Sequence, residues 1–200
     1  MAKVFAGIII APIGGMIFGI ALAGVIIWIF ARRRPAVVNR TFGRLQIISS
    51  AWFALTHGAN DGQKTMGIIV LILFSADLIS EIHMPLWVII AAAAAMGLGT
   101  FFGGYKVIKT LGVKVTRLKP YQGFAAETGG GLMLAVFAIF GIPASTTHAI
   151  TGTIMGAGAA RRKRAVRWKV SRQIIFSWLI TIPGAGGLGI AFTFIIHLFV

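Results

Sequence analysis

Long apolar runs separated by short polar interruptions dominate the chain. Val4 to Ala31 carries no charge, and Leu45 to Ser75 is apolar apart from an interruption at His57, Asp61 and Lys64. Pro85 to Gly104 is uncharged, Tyr121 to Ala160 holds Glu127 as its only full charge, and Gln173 to Val200 has only His197 as a titratable side chain. A hydrocarbon layer about 30 Å thick takes on the order of 20 apolar residues as helix. The pattern therefore predicts spans over 4–31, 45–75, 85–104 and 173–200, with a helical hairpin over 121–160. The first run is too long for a cleaved signal peptide and lacks a convincing cleavage site, so it is read as a retained helix. The expected class is an all-α polytopic membrane protein, with residues 1–200 forming one transmembrane domain.

Composition sharpens this reading. The 200 residues are 58% hydrophobic and 12% charged, with a mean hydropathy of +0.91. A soluble domain is about 45–50% apolar and roughly 25% charged, so a water-facing surface would be hard to cover. A soluble enzyme and a disordered tail are both excluded on this ground. No cysteine is present, which removes disulfides, thiolate metal sites and cysteine nucleophiles.

The formal net charge of +15 would ordinarily raise nucleic acid as a partner, but its placement argues for topology instead. All but Lys3 and Lys64 of the 19 basic residues fall in three groups: Arg32–Arg44, Lys106–Lys119 and Arg161–Arg172. Loops rich in Lys and Arg stay cytoplasmic, where anionic lipid headgroups are their partners. No nucleic-acid role is expected. The Ala76–Met84 loop holds Asp77 and Glu81 without Lys or Arg, so it is placed outside, and parity puts both termini outside the cytoplasmic (inner) membrane. Tyr121–Ala160 joins two basic loops and must enter and return. Its second arm, Pro143–Ala160, is short and rich in Gly, Ser and Thr, which fits a re-entrant hairpin.

Two segments are expected to break helices. In Thr56-His-Gly-Ala-Asn-Asp-Gly-Gln-Lys64, Gly, Asn and Asp favour turns, so a break near 58–62 is predicted, with Asn60 or Asp61 capping the second half. The alternative is a kinked helix whose polar side chains pair with neighbours. An ionisable residue within a span is by default a candidate for function. In Phe140-Gly-Ile-Pro-Ala-Ser-Thr-Thr-His148, Pro143 cannot continue the preceding helix and Ser145 is a good N-cap. The helix beginning there would offer free N–H groups and hydroxyls to an anion; plain N-capping without a ligand is the alternative.

Discontinuous helices that aim their N-termini at an anionic substrate occur in secondary transporters. The segments His57-Gly-Ala-Asn-Asp-Gly62 and Pro143-Ala-Ser-Thr-Thr-His148, with Gly123-Phe-Ala-Ala-Glu127 between them, resemble the signatures of the inorganic phosphate transporter (PiT) family. Gly58-Ala-Asn-Asp-Gly-Gln-Lys64 is most similar to the bacterial low-affinity phosphate permeases. The resemblance covers essentially the whole chain but only the C-terminal one of the family's two inverted repeats. It implies symport of inorganic phosphate with a cation: sodium in some branches, protons with metal-phosphate complexes in the bacterial permease branch. Phosphate ligands map onto Asn60, Ser145, Thr146 and Thr147. Cation or proton coupling maps onto Asp61 and Glu127. Lys64 departs from the Asn found in many members, and its ammonium puts one sodium site in doubt.

Electrostatics bears on the same residues. Asp61 and Glu127 would repel a phosphate dianion in low dielectric, so a proton, a co-transported metal or Lys64 has to intervene. His57, four residues before Asp61, can face it on one helix turn. No cofactor and no fixed protein metal site are expected. Gly184-Ala-Gly-Gly-Leu-Gly189 fits the dinucleotide fingerprint in form, but no strand precedes it; close helix packing is the better account. Ser145, His148 and Glu127 lack a nucleophile-elbow context. The expected partners are inorganic phosphate (free or as a divalent-metal complex), a co-transported cation, the lipid bilayer and an N-terminal permease half. A non-transporting half-length subunit or fragment that packs with another permease half is the alternative reading.

Overall fold

The computed structural model describes residues 2–142 and 144–199. Six α-helices follow one another: α1 (Ala2–Ile29), α2 (Pro35–Ser75), α3 (Leu86–Lys109), α4 (Pro120–Ile139), α5 (Thr146–Ala159) and α6 (Trp168–Phe199). A π-helical segment, Thr110–Val115, continues α3, and a short 3-10 turn, Lys163–Ala165, precedes α6. Among the described residues, four helical stretches are long and apolar enough to cross a membrane: Ala6–Ile29, Leu86–Val115, Pro120–Ile139 and Trp168–His197. The chain is an all-α, multi-pass membrane protein.

The core lies where α1, α2, α4 and α5 meet, around Ala23, Val115, Ala125, Ala126 and Ala157 at one end and Ala11, Met133, Leu134 and Ala149 at the other. Small residues make this possible. Gly15 and Gly19 on α1 lie against the Ala149 and Thr153 carbonyls of α5, while Gly152 and Gly156 on α5 lie against the Pro12 and Met16 carbonyls of α1. Apolar side chains gain little from leaving lipid, so close backbone approach through small residues supplies the attraction. On α4, Gly130 and Gly131 admit Phe53 and Trp52 of α2.

The region 58–62 does not break. Helix α2 runs unbroken through it for 41 residues, so the predicted pair of half-helices is corrected to one helix. The polar side chains are satisfied in place. Asn60 donates to the Thr56 carbonyl at 2.9 Å, Thr56 to the Phe53 carbonyl at 3.0 Å and Thr65 to the Asp61 carbonyl at 3.3 Å. Such back-bonding absorbs the groups that otherwise favour turns, and an interior glycine costs a helix only about 1 kcal/mol. The helix also begins at Pro35, so Arg40 and Arg44 belong to α2 and not to a loop.

The second break is present, with a different stop signal. Helix α4 ends in a left-handed glycine, Gly141 (φ 60°). The Gly141 N–H donates to Ala138 at 3.1 Å and the Ile142 N–H to Phe137 at 2.9 Å, the paired bonds of a Schellman cap. Termination is thus complete before Pro143, which lies outside the described residues. Helices α4 and α5 form a hairpin of unequal arms, 20 and 14 residues, or about 30 and 21 Å at 1.5 Å per residue.

Helix α6 stands largely apart from the bundle. A Cβ added at Gly184, Gly186, Gly187 or Gly189 would meet nothing within 4 Å. The expected close packing through these glycines is therefore not made within this chain.

Candidate functional site

The α4–α5 break and the polar stretch of α2 meet at one cleft. Ser145 N-caps α5, its hydroxyl accepting the His148 N–H at 3.4 Å. The N–H groups of the first turn have no carbonyl partner within the helix and, with the dipole, make this end electropositive. Thr146 and Thr147 follow directly. An open cleft of about 340 Å³ is lined by Ile8, Asp61, Lys64, Ala144, Ser145, Thr146 and Thr147.

Asp61 organises the cleft. Its Oδ2 accepts the Thr146 hydroxyl at 2.7 Å and lies 3.1 Å from His57 Nε2, and its Oδ1 accepts from Lys64 Nζ at 3.0 Å. Lys64 also donates to the Ala144 carbonyl at 2.6 Å, which ties α2 to the residue before the α5 N-cap. These side chains remain accessible, with 34%, 31% and 43% of His57, Asp61 and Lys64 exposed. Lys64 brings a full positive charge within hydrogen-bonding distance of the carboxylate, so an anion entering the cleft does not meet an isolated negative charge.

Of the sequence-expected residues, the structure brings Asp61, Lys64, Ser145, Thr146 and Thr147 together. Asn60 is not among the cleft-lining residues, because its amide turns back onto Thr56. Glu127 lies elsewhere. Its Oε2 accepts the Ser49 hydroxyl at 2.5 Å and its Oε1 accepts from Gln46 Nε2 at 3.4 Å. Ser49 precedes Asp61 by twelve helical residues, about 18 Å along α2, so Glu127, on α4, meets α2 well away from Asp61. Sequence reasoning missed Ser49, Gln46 and the Ala144 carbonyl. The available signal was a Gln and a Ser at i and i+3 on an otherwise apolar stretch.

Comparison with known proteins decides the family. The model of the phosphate transporter family matches residues 1–189. The chain belongs to the phosphate transporter family. It is 46% identical over 186 residues to a probable low-affinity inorganic phosphate transporter of Rhizobium meliloti, covering 92% of this chain and 56% of that protein. A relative of the same description from Bacillus subtilis is 37% identical over 197 residues, covering 98% and 59%. The fold is also similar to a solved structure described as the sodium-dependent phosphate transporter, with a TM-score of 0.65 and 23% identity over 91% of this chain and 53% of that one. The chain thus spans a little over half the length of these curated relatives. The relatives are transporters, not enzymes.

Proposed function

We propose that the chain supplies one half of a cation-coupled phosphate transporter, with the cleft between α2 and the start of α5 as its share of the phosphate site. The observation that carries this is the convergence of the α5 N-terminus, the Thr146 and Thr147 hydroxyls and the Lys64 ammonium on one cleft. Tetrahedral oxyanions need donors from several directions, and charge-assisted donors are the strong ones.

The hydrogen bonds around Asp61 suggest how coupling works. Thr146 and Lys64 both donate to this carboxylate. A proton, or a metal ion travelling with phosphate, that neutralises Asp61 weakens its hold on both donors and frees them for the anion. Phosphate and cation then favour the same state of the cleft. A proton or a divalent metal suits this arrangement better than sodium, because Lys64 already occupies the carboxylate. Glu127 serves as a second coupling position, held by Ser49 and Gln46.

One half does not close such a site, since transporter sites normally form between two repeats. The accessible cleft and the uncovered glycine stretch of α6 support the need for a complementary half. The basic ends of the helices face the cytoplasm in this reading. The test is labelled-phosphate uptake in transport-deficient cells expressing this chain alone or with the complementary half of a relative. Uptake is expected only with both halves. No uptake in either case, with both polypeptides in the membrane, favours a non-transporting packing subunit.

A further inference from the structure

A second cavity, of about 320 Å³, lies at the end of the bundle away from the Asp61 cleft, between the α1–α2 connection, the start of α4 and the residues just after α5. Arg33, Lys119 and Arg161, one from each basic group of the sequence, converge on it together with Asn39 and Tyr121. Tyr121, itself buried, lines the cavity alongside Arg161. Helices α2 and α4 both begin here, at Pro35 and Pro120, so two positive dipole ends add to three cations. None of the four acidic residues lines the cavity. The lining is also partly apolar, with Ile26, Ile27, Phe30 and Val38.

We infer that this cavity is a binding site for a phosphate group, separate from the proposed transport cleft. Three exposed cations from three connections, without a compensating acid, make a local positive field that draws in an anion. Phosphate suits guanidinium and ammonium donors, and the cavity's volume of about 320 Å³ falls within the ~300–1,000 Å³ range of small-molecule sites. Two sources share this chemistry. An anionic phospholipid places its headgroup among the cations and its acyl chains against the apolar lining residues, the chemistry of basic pockets between membrane helices. Free inorganic phosphate uses the cations alone. The apolar lining residues favour the lipid. Bound there, the ligand would join α1, α2, α4 and α5 at one end and stiffen the scaffold that carries the cleft.

The test is thermal unfolding of the full chain in nanodiscs, followed by tryptophan fluorescence. One arm compares phosphatidylcholine with a phosphatidylcholine–phosphatidylglycerol mixture. The other titrates inorganic phosphate into phosphatidylcholine discs. The double variant Arg33→Gln/Arg161→Gln is set against Lys169→Gln/Arg172→Gln, which removes equal charge from exposed positions outside the cavity. A rise in Tm of several degrees with one ligand, lost in the first double variant and kept in the second, is expected, and the responding arm names the source. The inference is overturned if neither ligand raises Tm, or if the two double variants lose the effect equally. Native mass spectrometry of the wild type gives a check free of variants: preferential retention of phosphatidylglycerol, or of phosphate, is expected, and retention of neither overturns the inference.

Discussion

The Thr146 hydroxyl donates to Asp61 at 2.7 Å across 85 positions of sequence. This bond joins the first residue of α5 to the middle of α2. It also places a hydroxyl that would serve an anion under the control of a carboxylate that would answer to a cation.

Lys64 sets the choice of coupling ion. With its ammonium 3.0 Å from Asp61 Oδ1, sodium has to displace a covalently tethered cation. Proteoliposome uptake by the two-half transporter is expected to follow a proton gradient, with divalent-metal stimulation and little response to sodium. Lys64→Asn is expected to gain sodium stimulation. A strict sodium requirement in the wild type would show that Lys64 does not guard the carboxylate.

Glu127 is expected to matter through its ionisable carboxyl. Ser49 and Gln46 both donate to it, so Glu127→Gln turns an amide N–H₂ toward existing donors. Membrane insertion is expected to persist, because the net contribution of such bonds is only about 1.5–3 kcal/mol. Phosphate uptake is expected to be lost, and Ser49→Ala to lower it in part. Wild-type uptake by Glu127→Gln at normal expression would remove Glu127 from the coupling scheme.

The α1–α5 contact is expected to tolerate no side chain. A Cβ at Gly152 or Gly156 would collide with the Pro12 or Met16 carbonyl, backbone that cannot rotate aside. Gly152→Val and Gly156→Val are each expected to cost at least about 1–3 kcal/mol, the usual range for overpacking. Gly97→Ala on α3, where nothing lies within 4 Å, is expected to be neutral or slightly stabilising. Thermal melts of the monodisperse proteins in detergent check the contrast, and equal melting temperatures would contradict the packing described.

Much of this architecture was legible in the sequence because lipid imposes a coarse rule: apolar length makes helix. The α5 start was legible too, since Ser145 caps locally. The unbroken course of α2 was not. Turn propensity at Asn60, Asp61 and the flanking glycines is local, whereas Asp61 is satisfied partly by Thr146 from another helix. Pro143 marks the stop of α4 in the sequence, but the left-handed Gly141 already supplies it. Glu127 stood out as a lone charge, yet its donors on α2 lie 78 and 81 positions away, beyond any local pattern. The glycines of α6 suggested packing that this chain does not supply.

The most direct measurement is equilibrium binding of labelled phosphate to the reconstituted two-half transporter carrying Thr146→Val or Thr147→Val. Valine keeps the side-chain shape and removes the hydroxyl. A lost charge-assisted bond of roughly 1.5–3 kcal/mol corresponds to weakening by about tenfold or more. At least one variant is expected to raise the half-saturating phosphate concentration to that extent at unchanged protein yield. Wild-type binding by both would contradict the account, leaving the start of α5 as a capped helix without a ligand.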